Sequence, residues 1–158
     1  GVCTMNLSPN FSLKELCKSQ TAARKGLNNV PDASWEKHIV ENLVELAGNI
    51  LQPIRENFNI PFTPSSGYRS PALNDAIGGS KTSQHSLGQA VDIEVPTVDN
   101  ATLAQWIIDN LIFDQLILEF YKKGEPTSGW VHVSYKNEGN RKQILTYDGK
   151  SYQKGLIV

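Results

Sequence analysis

Apolar residues recur every three or four positions through the first sixty residues, which is the spacing of amphipathic helices. Ser12 precedes Glu15 by three positions, a capping-box spacing that predicts a helix from there to about Gly26. A longer helix is predicted after Pro31, and Pro53 should end or bend it. The apolar positions of this second helix are Trp35, Ile39, Leu43, Leu46, Ala47, Ile50 and Ile54. Both helices are predicted to pack one side against a common core.

The period changes to two in the second part of the chain, as expected of strands with one buried face. Strands are predicted at 62–66, 89–95, 113–120, 130–135 and 143–147. Ser70-Pro71 predicts the start of a brief helix that ends at Gly78-Gly79, and another helix is predicted over 99–111. This order predicts an α+β fold, with a small antiparallel sheet and helices packed on one of its faces.

The domain prediction is a single domain over residues 1–158, because no linker, internal repeat or low-complexity segment interrupts the pattern. Residues 1–10 fall outside the predicted elements and are expected either to be disordered or to derive from an added expression tag. The chain begins with Gly rather than Met, which is compatible with a signal peptide or tag removed ahead of residue 1.

Strand parity places several polar side chains on one surface of the predicted sheet. Asp92 and His132 each alternate with apolar neighbours in their strands. Glu119 shares a face with Gln115 in a strand that is otherwise mostly apolar. If these strands are neighbours, Asp92, Glu119 and His132 converge on one polar surface while the opposite surface packs on the helices.

Two of the three histidines lie in segments typical of a catalytic zinc site. His85 and Asp92 belong to the ten-residue run 83–92, and His132 comes from a distant strand. A catalytic zinc ion needs three protein ligands and a fourth position for water. The three residues are therefore predicted to bind Zn²⁺ in a hydrolase; the other interpretation is a hydrogen-bonded group in the core. His38 lies on the polar side of its helix and is predicted to be a surface residue.

Composition excludes several classes of partner. Lys and Arg total 15 against 16 Asp and Glu, and neither sign forms a long block, so neither nucleic acid nor an anionic membrane surface is predicted as a partner. No apolar run approaches the roughly 20 residues that span a bilayer. We expect a monomer that acts on a compact, neutral substrate.

The two cysteines allow two interpretations. Cys3 and Cys17 would pair in a secreted protein, but two cysteines do not make a disulfide framework. Cys17 falls in a predicted helix, where a buried thiol is more common, and we favour that interpretation. Neither cysteine has the spacing of a zinc ligand.

The metal-binding run is one of three motifs that occur together. They are Ser66-Gly67-Tyr68-Arg69-Ser70, Ser83-x-His85-x-x-Gly88-x-Ala90-x-Asp92 and Gly129-Trp130-Val131-His132-Val133-Ser134. With these motifs the chain resembles the zinc D-alanyl-D-alanine carboxypeptidase family of peptidoglycan peptidases, a group that includes bacterial dipeptidases, phage endolysins and the Hedgehog signalling domain. Residues 11–16 and 113–117 also resemble a branch common in phages and prophages, so the resemblance covers about residues 11–135.

The resemblance implies a small α+β fold with an antiparallel sheet and a role for each matching residue. His85, Asp92 and His132 would be the zinc ligands. Arg69 would steady the carbonyl or carboxylate of the substrate, although an arginine after a turn is also an ordinary surface residue. Ser83, Gln84, Tyr68 and Trp130 either contact substrate or simply hydrogen-bond and pack.

The chain departs from the family pattern at the catalytic acid. Many relatives have this residue three positions before the last zinc histidine, where the chain has Gly129. The remaining candidates are Glu119 and Glu125. Glu119 is favoured for two reasons: phage-like and Hedgehog-like members draw their acid from upstream of that histidine, and strand parity directs the Glu119 side chain to the polar surface. The alternative is that Glu119, as a strand carboxylate, supports a ligand histidine instead. Glu125 lies in a turn-like stretch with Lys, Gly and Pro.

Three functional hypotheses follow from the resemblance. The leading one is a zinc metallopeptidase that hydrolyses a bond in the peptidoglycan stem peptide with a zinc-activated water, as a carboxypeptidase or an endolysin-like endopeptidase. Such an enzyme would act on the bacterial cell wall, as a phage lysis enzyme or in the periplasm or outside the cell. The second is a non-catalytic zinc-containing binding module, and the third is a virion structural component that retains local wall-degrading activity.

Overall fold

The N-terminal part of the chain is mainly helical in the computed structural model, which describes residues 5–32, 34 and 36–158. An antiparallel pair, β1 (Asn6–Ser8) and β2 (Phe11–Ser12), leads into α1 (Leu13–Cys17) and α2 (Gln20–Lys25). Residues 6–8, for which disorder was one of the two expectations, therefore form a strand. Cys3 and Trp35 lie outside the described residues, so the disulfide is not tested, and Cys17 is buried.

The single helix predicted from Ser12 to Gly26 is instead two helices, because the sequence supplies two caps. Ser12 forms the predicted capping box: its Oγ accepts from the amide of Glu15 at 3.2 Å, and its own amide donates to the Glu15 carboxylate at 3.3 Å. Ser19 then accepts from the amide of Ala22 at 3.1 Å and begins α2. Gly26 ends α2 as predicted.

The long helix continues past the proline that was predicted to end or bend it. Helix α3 (Lys37–Leu46) passes into a π-helical segment, Ala47–Leu51, and then into α4 (Gln52–Phe58). Pro53 lies in the first turn of α4. A proline ring normally collides with the carbonyl four residues before it, and the wider π turn just upstream moves that carbonyl away. The predicted apolar positions of this helix that the structure describes are all buried: Ile39, Leu43, Leu46, Ala47, Ile50 and Ile54.

The main sheet lies in the second part of the chain. In chain order the elements of this part are α5 (Pro71–Ala76), β3 (Ala90–Ile93), α6 (Asn100–Asn110), β4 (Gln115–Glu119), β5 (Trp130–Ser134), β6 (Gln143–Tyr147) and β7 (Tyr152–Lys154). The five strands of the sheet are ordered β3-β5-β4-β6-β7. Every neighbouring pair is antiparallel except β4–β6, which is parallel. The α+β prediction is confirmed, with this one parallel pair added to the predicted antiparallel sheet.

The predicted strands differ from those of the structure in two places. Residues 62–66 form only an isolated bridge, between Ser66 and Asp92, rather than a strand. Strand β7 was not predicted, although Asp148-Gly149 between β6 and β7 is a common turn dipeptide in hairpins. The Asp148 carboxylate accepts from the amides of Lys150 and Ser151 at 2.8 and 2.9 Å, which closes the turn.

The two faces of the sheet differ as strand parity predicts. Apolar side chains on one face are fully buried in a core shared with α3, the π-helical segment and α4: Val91, Ile93, Leu116, Leu118, Val131 and Val133. On the other face Asp92 is opposite His132, and Glu119 is opposite Trp130. The functional candidates therefore lie on the face turned away from the helical core. Within the described residues no helix is long and apolar enough to cross a membrane.

Candidate metal centre and its cleft

Three predicted site residues meet on the polar face of the sheet. The Oδ1 of Asp92 lies 3.5 Å from Nε2 of His85 and 3.0 Å from Nδ1 of His132. One donor atom from each residue lies within 4.8 Å of the other two. The side chains are 15% exposed or less. In residues 5–32, 34 and 36–158, no other group of three such side chains is placed to hold a metal ion.

This donor set has the chemistry of a zinc site. The Nδ1 of His85 lies 2.8 Å from the carbonyl oxygen of Gly67. Because a carbonyl only accepts, Nδ1 carries the proton, and the lone pair of Nε2 is left facing Asp92. Ligand atoms about 2.0–2.1 Å from a tetrahedral zinc ion lie roughly 3.3 Å apart. The separations of 3.0 and 3.5 Å in the structure bracket that value.

Burial and hydrogen bonding hold two of these residues in protonation states that bind metal. Burial lowers the pKa of His85 and outweighs the opposing effect of Asp92, so the imidazole is neutral near pH 7. Burial alone would raise the pKa of Asp92, but its interactions with the imidazoles of His132 and His85 outweigh that effect and hold the pKa well below its usual range. Neutral imidazole and ionised carboxylate are the forms that ligate a metal ion.

The loop that carries His85 is held against the long helix. A short 3₁₀ helix, Gln84–Leu87, begins where Ser83 Oγ accepts from the amide of His85 at 3.2 Å. It ends at Gly88, whose φ is 71°. A Cβ at Gly88 would lie 2.8 Å from the backbone oxygen of Ile39 in α3, so only glycine permits this close packing.

The segment around Arg69 is tied to the same loop. The amide of Arg69 donates to the carbonyl of His85 at 3.1 Å. Buried Asn29 donates to the carbonyl of Tyr68 at 2.9 Å and accepts from the amide of Ser70 at 2.7 Å. Arg69 Nη1 lies 3.3 Å from Asn74 Oδ1, while its buried Nε has no hydrogen-bond partner in the described chain. The guanidinium therefore retains donors for a ligand. No sequence pattern pointed to the role of Asn29.

Glu119 lines the same cleft as the three candidate ligands, and Glu125 does not. The cleft has a volume of about 620 Å³ and includes Arg69 in its wall. Burial and the negative charge of Asp92 raise the pKa of Glu119. The indole Nε1 of Trp130 opposes this rise by lowering the pKa of Glu119, although the two groups do not meet the geometry of a hydrogen bond. Glu125 lies in an exposed turn, where its carbonyl accepts from Ser128 Oγ at 2.6 Å.

The backbone explains why the family's usual acid position is a glycine. Gly129 has a φ of 65°, and a Cβ there would overlap the backbone oxygen of Glu119. The residue before Trp130 therefore passes too close to the end of β4 to carry any side chain. An acid at position 129 is sterically excluded, so a catalytic carboxylate would have to come from another position, and Glu119 is a candidate that lines the cleft.

Substituting Gly129 is expected to destabilise the fold strongly. We expect Gly129→Ala to lower the free energy of unfolding by about 2–4 kcal/mol, because the left-handed backbone and the overlap with Glu119 both oppose a side chain. Gly139→Ala is the matched control, since Gly139 has a φ of 75° but a Cβ added there would meet no atom within 4 Å. That variant should lose only about 1 kcal/mol. Urea unfolding measures both, and equal losses would contradict the steric explanation.

An ion pair between a buried carboxylate and an exposed arginine supports the same loop. Asp114, which is fully buried, accepts from Nε and Nη2 of Arg141 at 3.0 and 2.8 Å and from Nε2 of Gln84 at 3.2 Å. Burial would raise the pKa of Asp114, but hydrogen bonds from Arg141 outweigh it and lower that pKa. Gln84 precedes His85, so this network connects the start of β4 to the loop that carries His85. No sequence motif pointed to Asp114 or Arg141.

Other polar and aromatic candidates have mixed outcomes. The Ser83 hydroxyl forms a hydrogen bond with the backbone, which is one of the two roles considered for it. Tyr68 is buried in the core. Burial and Glu36 raise the pKa of Tyr68 to about 12. The half-buried ring of Trp130 packs 5.1 Å from that of Phe120. His38 is exposed, as predicted. Tyr152, on the strand that was not predicted, also lines the cleft.

Comparison with protein families identifies a match for most of the chain. A family model described as Peptidase M15 matches residues 9–134. No curated protein matches the chain. The matched range contains every element that builds the metal centre, from β2 to the end of β5.

Proposed function

The chain belongs to the peptidase M15 family, and on this premise we propose that it is a zinc metallopeptidase that hydrolyses a peptide bond in the stem peptide of peptidoglycan. Peptidases of this family depend on a metal ion, usually zinc, and a peptide is their substrate. The peptidoglycan substrate, its bacterial cell-wall location and the roles of individual residues are our proposal.

One observation carries the proposal: three side chains that could hold a metal ion and one carboxylate of raised pKa line a single cleft. His85, Asp92 and His132 would hold the zinc ion. Glu119 lies in the same cleft without belonging to the ligand group. Zinc bound there would lower the pKa of a water molecule toward 7 and polarise the substrate carbonyl.

The protein's own side chains supply the remaining chemistry. The Glu119 carboxylate would accept the proton of the attacking water and then donate it to the nitrogen of the departing amine. Burial raises the pKa of Glu119, which makes its carboxylate a better proton acceptor than an exposed one. The guanidinium of Arg69 would orient the substrate oxygen and stabilise its developing negative charge.

Purified cell walls provide the test of this function. The zinc-loaded protein should release new free amino groups from peptidoglycan, and mass spectrometry of the soluble products should identify one cleaved bond in the stem peptide. Preparations that differ in stem-peptide sequence distinguish a terminal cleavage from an internal one. A folded protein with one bound zinc ion that cleaves none of these preparations would contradict the proposal and favour the non-catalytic binding module.

A further inference from the structure

A second cleft shares Arg69 with the cleft of the metal centre. It has a volume of about 530 Å³, and Arg69 is a wall residue of both clefts. Its lining includes Ser65, from the segment before Arg69, and Ser19 and Thr21, from the start of α2. The two clefts are therefore adjacent recesses that share one guanidinium.

The side chains that line this second cleft carry only positive formal charge. Lys18, Arg24 and Arg69 are its three cations, and no Asp or Glu among the described residues lines it. In the described chain neither Lys18 nor Arg24 forms an ion pair, and Arg69 has a buried Nε without a partner. The nearby carboxylate of Glu15 is already bonded to Ser12 and Thr63.

The metal cleft has a different charge pattern. Asp92 and Glu119 line it close to the three candidate ligands and would repel a second negative charge. A substrate with a carboxylate near its scissile bond would be bound best if that carboxylate pointed past Arg69 and away from these acids. The second cleft offers cations there, and it also offers hydroxyl donors from Ser19 and Thr21.

We propose that the second cleft is a subsite for a carboxylate-bearing residue of the peptide substrate, bound by Lys18 and Arg24 together with Arg69. The inference rests on the proposed peptidase function, because it places the scissile bond at the metal centre. It extends that function by assigning Lys18 and Arg24 as the residues that select a peptide with a free carboxylate near the cleaved bond.

The binding test uses pairs of short synthetic peptides that are identical except for Glu or Gln at one position. Calorimetry with the zinc-loaded Glu119→Gln protein measures affinity without cleavage. We expect the Glu member of at least one pair to bind about ten-fold more tightly, since each partly exposed charge pair contributes modestly and two or three would act together. Raising the salt concentration should reduce the preference.

Variants of the surface cations test whether the preference for the Glu peptide arises in the second cleft. Adding Lys18→Gln and Arg24→Gln to the Glu119→Gln protein should remove most of the ten-fold preference. Lys25→Gln is the matched control, because Lys25 adjoins Arg24 on α2, is exposed and does not line the cleft. In the active enzyme, Lys18→Gln/Arg24→Gln should raise KM for the Glu peptide and leave kcat unchanged.

Three outcomes would overturn the subsite. The first is equal affinity for the Glu and Gln peptides in every pair, and the second is a preference that survives the loss of Lys18 and Arg24. The third is displacement of the Glu peptide by an equal concentration of inorganic phosphate, which would indicate a general anion site. Failure of the proposed function is separable: Arg24-dependent binding of a Glu peptide that the wild type never cleaves would retain the subsite and reject the peptidase.

Discussion

Replacing His85 by Ala is expected to abolish zinc binding and peptide hydrolysis together. The change removes one of three donor atoms that lie within 4.8 Å of one another, and two protein ligands do not hold a catalytic zinc ion. Zinc contributes several kcal/mol of transition-state stabilisation, so its loss should reduce kcat/KM by at least about 10³-fold. Elemental analysis of the purified protein and release of amino groups from peptidoglycan measure the two effects.

Two further variants make this result specific. His38→Ala removes an exposed histidine that is not one of the three candidate ligands. This variant should retain one zinc ion and full activity. Because His85 is buried and its loss leaves a cavity, Asp92→Asn provides a second test that keeps the volume of the side chain while removing its charge. If both His85→Ala and Asp92→Asn retain one equivalent of zinc, the assignment of the metal centre is wrong.

Replacing Glu119 by Gln is expected to lower kcat by about 10²–10⁴-fold while the protein still binds one zinc ion. Gln has nearly the same shape but cannot accept and return a proton, and Glu119 is not one of the three grouped donors. The variant therefore separates proton transfer from metal binding. Single-turnover rates on a defined peptide, together with the zinc content, measure both.

Glu125→Gln is the matched control for this base assignment. Glu125 is exposed in a turn and does not line the cleft, so its loss should leave kcat within about two-fold of the wild type. Nearly full turnover by Glu119→Gln with an inactive Glu125→Gln would show that the base is Glu125. Loss of zinc from Glu119→Gln would instead indicate that Glu119 supports the ligands.

The polar face of the sheet was predictable from the sequence because strand parity is local. The alternation around Asp92 and His132 turned each side chain away from the apolar face of its own strand. The pairing of β3 with β5, which the sequence did not show, puts the two residues directly opposite each other. The family was predictable from three motifs, and the match over residues 9–134 confirms it. The phage-like branch and the ligand and base roles stay predictions.

Features that depend on contacts between distant residues were not predictable. The overlap at Gly129 arises from the backbone of Glu119, ten residues away, so the sequence revealed the missing acid but not its steric cause. The bond between Asp114 and Arg141 likewise needs the pairing of distant segments. The π turn before Pro53 and the parallel β4–β6 pair have no local sequence pattern that specifies them.

The most direct test of a zinc peptidase is a zinc titration of the chelator-treated wild-type protein, with release of amino groups from peptidoglycan followed at each step. We expect no cleavage without zinc, a linear rise as zinc is added, and saturation at one equivalent per chain. Full activity in the zinc-free protein, or saturation of one site with no cleavage of any wall preparation, would contradict the proposed function.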